Sequence, residues 1–420
     1  MGKRWKGLIL ASTILTLVAA LVTPASPAKK GKAIKIGASL TLTGPLASTG
    51  QPASYGALDY LKYVNEELGG IEYRTPDGKV ERVRLDIVWG DNAYSVPRTL
   101  SLYKRQKGAG VKMMIMFGST PGEVVAEWAS RDHIPVVGIG AGSSPVNLAA
   151  KPNYFTASWA FYTEQMGAIL DWIKKNWTKP RPPRVALFYV DVTSVRAQIH
   201  ENPKLGSYAE EKGIEWLGVT PVPPAVTSSV VELTRLKAKK PDWLITLDVP
   251  SQDLVVLKDM KRLGMREEIK FLQIQAAGFD EAMLKLLPGE MEGVYGLAYM
   301  ALPTEDVPGI KLARKYALKY RNKELSLLRL GGWLSGMVAC EGIRRALEQV
   351  GYENITGEAI NEGIHTITEF DTGGIIPPLT IDPDRPAFAP FGKIGIYRGG
   401  KIEPASDWLP PYLKELRMLK

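Results

Sequence analysis

Residues 33–50 read AIKIGASLTLTGPLASTG, and this stretch contains the pattern that decides the fold class. The apolar run Ile34–Leu40 predicts a buried strand, and Thr43-Gly44-Pro45 predicts a turn directly after it. From Gln51 to Leu68, apolar residues recur at helical spacing. The stretch therefore predicts a strand, a loop and a helix, which together form the repeating unit of α/β proteins.

The same alternation continues along the chain. In the first half, the two-residue alternation of 83–89 predicts a strand, and apolar runs at Met113–Phe117 and Pro135–Ile139 flank a predicted helix, Glu123–Asp132. A second half follows the proline-rich break at 179–183. Its predicted strands are Val185–Val190, Trp243–Leu247 and Phe271–Ile274. Because 420 residues exceed what one core of about 250 to 300 residues accommodates, we expect an α/β protein with two doubly wound parallel-sheet lobes.

The N-terminus has the pattern of a signal peptide. Lys3, Arg4 and Lys6 precede an uncharged run at 8–22, which is shorter than the roughly 20 residues that a membrane-spanning helix needs. Small residues in Ser26-Pro27-Ala28 then suit a signal peptidase. We therefore expect residues 1–28 to be a signal peptide, with an uncleaved N-terminal anchor as the alternative.

Cysteine usage and charge limit the partners. Cys340 is the only cysteine and lies far from the N-terminus, so the chain has neither a lipobox cysteine nor an internal disulfide. The net charge of +9 arises from 53 basic and 44 acidic residues that are interspersed along the chain. This distribution gives no reason to expect nucleic acid or anionic lipid as a partner, and no second membrane span is predicted.

Motifs of common enzymes are incomplete. Residues Gly138–Ser143 resemble a dinucleotide-binding loop, but Ser143 stands where the third glycine is needed. Gly44–Gly50 lacks the spacing and the lysine of a phosphate-binding loop, and Asp371–Gly373 is the single copy of a triplet that aspartic proteases need twice. We therefore expect neither catalysis nor a cofactor or metal.

Three loops at predicted strand ends are rich in serine, threonine and glycine. They are Thr41–Pro45, Gly118–Gly122 and Gly140–Pro145. Ligands of open α/β sheets bind beyond the carboxyl ends of the strands, where hydroxyls and backbone amides can bind a carboxylate or carbonyl. Each loop alone is also compatible with ordinary turn chemistry. Three such loops in one half favour a binding site.

Several segments together resemble the leucine/isoleucine/valine-binding proteins, the type I periplasmic solute-binding proteins of ABC importers. They are Ile34–Gly37 with Thr43–Ala47, Asn65–Ile71, Ile134–Val136, Tyr208–Gly213 and Lys240–Asp242. The resemblance covers nearly the whole mature chain. It implies an extracytoplasmic or periplasmic monomer that binds a small molecule between two lobes and delivers it to permease subunits.

The resemblance also implies three strands that cross between the lobes, near Thr156–Trp159, Leu297–Pro303 and Gly374–Leu379. The first lobe is then expected at 29–157 and 302–373. The second lobe is expected at 158–301 and 374–420.

Candidate ligand-binding residues follow from this resemblance and from the strand ends. In the first lobe, the family's carboxylate-binding positions fall on Ser119, Thr120, Ala141, Gly142 and Ser143, with Ser144 as an alternative to Ser143. Thr49 and Trp89 complete the candidates there, and Trp159, Phe161 and Tyr162 are expected near a crossing as possible walls for a ring.

The second lobe departs from the amino-acid-binding pattern. Ser194 and Val195 replace a Tyr-Gly pair, and Gln275 replaces the glutamate that meets the ligand ammonium. A neutral amide does not offset a buried ammonium, so we expect a small carboxylate or amide, with or without an aromatic ring, rather than an aliphatic α-amino acid. Asp248, at another strand end, is the main objection, because its carboxylate could bind an ammonium.

Two other classes remain open from the sequence. A sensory receptor could use the same fold to report a ligand, and an exported oxidoreductase or hydrolase would need a catalytic cluster in the cleft.

Overall fold

The computed structural model describes residues 31–274, 279–384, 387–409 and Leu416, without the side chains of Pro145 and Thr193. The expected signal peptide at 1–28 and the candidate Gln275 lie outside the described residues.

The first of two sheets contains seven strands. They are β1 (Ala33–Leu40), β2 (Ile71–Arg74), β3 (Val80–Asp91), β4 (Met113–Phe117), β5 (Val136–Ile139), β6 (Phe155–Trp159) and β12 (Ala387–Ala389). Their order is β12-β6-β5-β4-β1-β3-β2, and all neighbours are parallel except β2 and β3. The central strands are buried, as expected for a parallel sheet covered on both faces.

Helices of the first lobe cover this sheet. They are α1 (Ala47–Glu66), α2 (Val96–Gly108), α3 (Ser119–Asp132), α4 (Pro145–Ala149), α11 (Pro308–Arg321), α12 (Leu327–Val350) and α13 (Gly357–His365). Helices α1 and α12 approach each other closely at two glycines. A Cβ at Gly56 would overlap the Arg329 carbonyl, and a Cβ at Gly332 would overlap the Ala53 carbonyl. This close approach joins the N-terminal part of the chain to the segment that returns to this lobe.

The second sheet also contains seven strands. They are β7 (Arg184–Val190), β8 (Glu215–Val222), β9 (Trp243–Leu247), β10 (Lys270–Ile274), β11 (Tyr295–Ala298), β13 (Gly392–Arg398) and β14 (Lys401–Leu409). Their order is β14-β13-β11-β10-β9-β7-β8, and the pairs that involve β13 are antiparallel. The helices of this second lobe are α5 (Tyr162–Lys175), α6 (Thr193–Ile199), α7 (Lys204–Glu211), α8 (Val230–Ala238), α9 (Pro250–Arg262) and α10 (Ala282–Leu286).

Two doubly wound, mostly parallel sheets confirm the predicted fold class. The chain passes between the sheets after β6, after β11 and after β12. The third passage lies later in the chain than the expected 374–379. Strand β12 still pairs with β6 in the first sheet, and the next strand, β13, which begins at Gly392, belongs to the second sheet. Residues Phe370 and Leu379 instead pair with each other. The lobe bounds at 157, 301 and 373 stay a prediction, since strand pairing defines sheets rather than lobes.

Local departures from the expected elements concern the third loop and the sheet edges. Gly118, with φ of 95°, is the N-cap of α3, so Ser119 to Gly122 form the first helical turn rather than a loop. Strands β2 and β8 were missed, because both are short or partly exposed edge strands that lack a continuous apolar run.

Candidate functional site

A cavity of about 260 Å³ lies where the carboxyl ends of strands from both sheets face each other. Its lining includes Phe117 at the end of β4 and Gly140 directly after β5, and Val190 and Leu247 at the ends of β7 and β9. Strand ends of open α/β sheets are the usual position of ligand sites. The cavity is therefore the candidate site, and it takes residues from both lobes.

Four of the eleven candidates from the sequence line this cavity. Thr49 and Ser119 belong to the first lobe, and Ser194 and Asp248 belong to the second. All four are buried, so their polar groups are exposed to little solvent. The structure thus brings polar side chains of the two lobes to one cavity, although their roles in binding stay a prediction.

Ser119 lies at the first position of α3, directly after the strand-to-helix turn at Gly118. Its Oγ accepts a hydrogen bond from the Gly142 amide at 3.1 Å. Burial raises the pKa of Tyr162 to about 12, and the hydrogen bond from the Ser119 hydroxyl partly offsets that effect. Tyr162 is therefore a neutral phenol at physiological pH. Thr49 also lines the cavity, and its buried hydroxyl, a neutral donor, has no partner among the described residues.

The fourth loop, Gly140–Pro145, uses its amides within the protein. The Ala141 amide donates to the Ser158 hydroxyl at 3.1 Å, and the Gly142 amide donates to Ser119. The Ser143 amide and hydroxyl both donate to the Trp159 carbonyl, at 2.8 and 3.1 Å. These bonds fasten the loop to the end of β6, where Gly142 forms a bridge with Trp159.

Six candidates consequently lie outside the lining of the cavity. They are Trp89, Thr120, Ala141, Gly142, Ser143 and Ser144. Ser144 caps α4 through the Asn147 amide, and Trp89 is 54% exposed on β3. Their binding roles stay predictions, and the structure places them behind or away from the lining.

Aromatic side chains form much of the wall. Trp159 stacks on Tyr299 with ring centroids 4.7 Å apart and an interplanar angle of 21°. Tyr94 meets Phe117 edge-on with centroids 6.4 Å apart. Trp159, Tyr162, Tyr94 and Phe117 all line the cavity, whereas the buried Phe161 does not. The wall suits an apolar or aromatic ligand body.

Sequence reasoning missed Tyr94 and Phe117. Phe117 is the last residue of β4, so the strand-end rule could have identified it. Tyr94 has a positive φ of 55° in the loop after β3, and the polar Asp91-Asn92 pair marked that loop. The polar residues of the loop after β3 indicate a ligand site as clearly as those of the three Ser-, Thr- and Gly-rich loops.

Asp248 is the strongest electrostatic feature of the lining. It is 1% exposed, and neither carboxyl oxygen has a hydrogen-bond partner among the described residues. Burial, followed by repulsion from Asp253, raises the pKa of Asp248 well above its usual range. Asp253 lies behind it on α9, where Gln273 Nε2 donates to its Oδ2 at 2.8 Å and burial raises its pKa to about 7. The lining therefore includes a buried carboxyl group of the second lobe that has no counter-cation among the described residues.

A family model described as periplasmic binding protein matches residues 33–391. The chain belongs to the periplasmic binding protein family. This assignment confirms the resemblance to leucine/isoleucine/valine-binding proteins and the two-lobed fold expected from it. Members of this family are solute-binding proteins.

Solved structures of other periplasmic binding proteins share this fold. A branched-chain amino-acid ABC transporter protein from Thermus thermophilus with bound valine is 20% identical, with a TM-score of 0.77, and the match covers 92% of this chain and 97% of that one. A fatty-acid ABC transporter substrate-binding protein from Thermomonospora curvata is 18% identical, with a TM-score of 0.72 and coverage of 92% and 93%.

A third similar structure is a solute-binding protein of an ABC transporter from Rhodopseudomonas palustris in complex with 3,4-dihydroxybenzoic acid. It is 18% identical, with a TM-score of 0.71 and coverage of 91% and 98%. At these identities the likeness shows the fold. A comparison with curated protein sequences gave no match. Within the described part of this periplasmic binding protein, no helix has the length and hydropathy needed to cross a membrane.

Proposed function

We propose that this periplasmic binding protein is the extracytoplasmic solute-binding subunit of an ABC importer of the branched-chain or hydrophobic amino-acid type. It captures a small carboxylate, amide or amino-acid-like molecule between its lobes and presents it to permease subunits. Membership of the family and the likeness to substrate-binding proteins of ABC transporters support this proposal.

The observation that carries the proposal is the cavity between the lobes. Ser119 and Thr49 approach it from the first lobe, and Ser194 and Asp248 approach it from the second. A ligand that contacts both sets stabilises the arrangement in which the lobes are close, because it binds that arrangement better than a separated one. Capture and lobe closure are then the same event.

The chemistry of the lining supports a ligand with an apolar body and polar ends. Most lining side chains are aromatic or aliphatic, and the polar ones come from both lobes. Valine, fatty acids and 3,4-dihydroxybenzoic acid, which are named for the similar structures, are all carboxylic acids with an apolar part. The cavity has room for the smaller members of this class.

A thermal-shift screen of the mature protein tests the proposal. The compounds are amino acids, their amides, aliphatic amines, and aliphatic and aromatic carboxylic acids. A ligand at 100 times its Kd stabilises the native state by about 2.7 kcal/mol, which is measurable as a higher Tm. Calorimetry on each hit then gives the Kd and a stoichiometry near one.

A matched pair of variants ties binding to the cavity. Val192→Trp fills part of the cavity from its partly exposed lining position, whereas Val231→Trp adds the same ring on α8, where Val231 is 56% exposed. Loss of binding in the first variant alone supports the site. Equal binding in both variants would place the ligand elsewhere, and no stabilisation by any compound would contradict the proposed function.

A further inference from the structure

We propose that the indole of Trp159 sets the upper limit on ligand length in this site, because it separates the candidate cavity from a second, smaller cavity. The inference rests on the proposed function and narrows its ligand class to compounds with a short apolar body, such as a single ring or a chain of a few carbons. A ligand with a longer chain would have to displace the indole.

The second cavity has a volume of about 20 Å³ and adjoins the candidate cavity. Among the described residues, those that line both cavities are Thr49, Phe117, Gly140 and Trp159. A residue that lines two cavities lies between them, so these residues form a partition. Trp159 has the largest side chain of the set. Its indole is therefore the main part of the partition.

Tyr299 supports the indole from the side of the second cavity. It lines the second cavity but not the first, and its ring stacks on Trp159 with centroids 4.7 Å apart. The indole thus lies between Tyr299 and the candidate cavity. The Tyr299 hydroxyl donates to Gln165 Oε1 at 2.7 Å, and Gln165 Nε2 donates to the Ala160 carbonyl at 2.9 Å. These bonds hold the ring on which the indole rests.

Other contacts hold Trp159 itself in place. Its carbonyl accepts hydrogen bonds from the amide and the hydroxyl of Ser143, and its backbone pairs with Ala389 of β12. A Cβ at Gly142 would lie 2.7 Å from Trp159 Nε1, so a glycine is needed beside the indole. Close-packed side chains of this kind do not move without a cost in free energy. The apolar body of a ligand is therefore expected to end at the indole.

The second cavity is apolar. Its lining includes Leu328 and Phe388, and no charged residue is present among the described lining residues. The Ser158 hydroxyl accepts from the Ala141 amide and donates to the Gly138 carbonyl, so it is already paired. A volume of about 20 Å³ has room for roughly one water molecule, and the cavity does not hold a ligand by itself. Apolar space opened by a large-to-small substitution stays dry and binds apolar molecules, so loss of the indole would make the second cavity an extension of the first.

Two ladders of probes test the inference. They are straight-chain carboxylates from butyrate to decanoate and straight-chain α-amino acids from norvaline to 2-aminodecanoate. Within each ladder the polar group is constant and the chain grows by methylenes. For the native protein, we expect the affinity measured by calorimetry to rise by about fourfold for each buried methylene and to fall sharply beyond a limiting length.

Trp159→Ala is expected to move that limit to chains about two or more methylenes longer, and to bind those chains about tenfold more tightly than the native protein does. Trp159→Leu keeps an apolar side chain and opens less space, so a smaller shift in the same direction is expected. Thermal melting shows whether each variant is folded.

Leu328→Phe fills the second cavity from its far side. Alone, it is expected to leave the affinities of both ladders unchanged, because Leu328 does not line the candidate cavity. Combined with Trp159→Ala, it is expected to return the limit to the native length. This reversal distinguishes a partition from a residue that acts through general stability.

Tyr94→Leu is the control for loss of an aromatic wall residue, since Tyr94 lines the candidate cavity alone. It is expected to weaken all members of a ladder by a similar factor without moving the limit. The same shift in this control, an unchanged limit in the Trp159 variants, or a shift that Leu328→Phe does not reverse overturns the inference.

A native protein that binds decanoate or 2-aminodecanoate more tightly than the shorter probes overturns the inference without any variant, and so does a native protein that binds no member of either ladder. Each of these results leaves the proposed function in place as long as other compounds of the screen bind. A screen in which no compound of any class stabilises the protein overturns the proposed function itself.

Discussion

Gln198 of the second lobe donates a hydrogen bond from Nε2 to the carbonyl oxygen of Ser143 in the first lobe, at 3.3 Å. The same amide group accepts from the Tyr162 amide through Oε1 at 3.0 Å and donates to the Ser194 carbonyl at 3.2 Å. Gln198 is 1% exposed and lies outside the cavity lining. It therefore joins the fourth loop of the first lobe to α6 and to the start of α5.

Gln198→Leu is expected to weaken ligand binding about tenfold, although the residue does not line the cavity. The substitution leaves the Ser143 carbonyl and the Tyr162 amide without this partner, and each buried polar group left unpaired costs about 1 to 3 kcal/mol. The substitution therefore raises the free energy of the arrangement in which the lobes are close together. Calorimetry measures the affinity, and small-angle X-ray scattering measures the separation of the lobes with and without ligand.

Gln106→Leu is the matched control for Gln198→Leu. Gln106 is fully buried in the first lobe and donates to the Val88 carbonyl at 2.8 Å, so its loss affects one lobe alone. We expect a lower Tm and an unchanged Kd for this control. A Kd that changes equally in both variants would show that Gln198 acts through general stability rather than through the contact between lobes.

Ser119→Ala is expected to weaken binding by about 1.5 to 3 kcal/mol if the ligand presents a carboxylate to the first lobe, because a hydrogen bond to a charged group has that magnitude. Ser143→Ala is expected to have a much smaller effect, since the Ser143 hydroxyl already donates to the Trp159 carbonyl at 3.1 Å. Calorimetry with the tightest ligand from the screen compares the two variants. Equal losses would show that Ser143 also reaches the ligand.

The fold was predictable because its signals are local. Apolar runs identified β4, β7, β9 and β10 within a residue or two of their observed bounds, and helical spacing identified α1. Each signal arises from burial on one or both faces of an element, which the sequence shows directly. Edge strands such as β8, whose residues are mostly half-exposed, lack that signal.

The site was less predictable, because its decisive contacts are not local. The strand-end rule found Ser119 and Asp248, which both line the cavity. It could not show that Ser158 and Trp159 would occupy the polar groups of the loop at 141–143. Nor could it show which strand-end aromatics would face the cavity, since that depends on the relative position of the two sheets.

Asp253→Asn is expected to raise the Tm at pH 8 and to have a smaller effect at pH 5. Burial raises the pKa of Asp253 to about 7, so the folded protein holds a proton that the unfolded chain releases above about pH 4. The contribution of Asp253 to stability therefore falls as the pH rises from about 4 through 7. Asparagine has no proton to lose, and its side-chain oxygen can still accept from Gln273.

The gain at pH 8 should be a few kcal/mol and at most about 4 kcal/mol, because the pKa values of the folded and unfolded chain differ by about three. Thermal melts at the two pH values measure it, and the exposed Asp86→Asn serves as the control for removing one negative charge. A gain that is equal at pH 5 and pH 8 would show that Asp253 is ionised in the folded protein at both values.

Gly142→Ala is expected to weaken ligand binding about tenfold by displacing Trp159. A Cβ at position 142 would lie 2.7 Å from Trp159 Nε1 and 3.1 Å from Cδ1, so the indole has to move. Trp159 stacks on Tyr299 and forms part of the cavity wall, and overpacking of this kind costs about 1 to 3 kcal/mol. Gly108→Ala is the control, because a Cβ there would meet no atom within 4 Å.

Calorimetry gives the Kd of both variants, and tryptophan fluorescence reports the displaced ring. If Gly142→Ala binds as tightly as the unmodified protein while its fluorescence changes, Trp159 moves without forming part of the ligand contact, and the aromatic wall must be assigned to Tyr94, Phe117 and Tyr162.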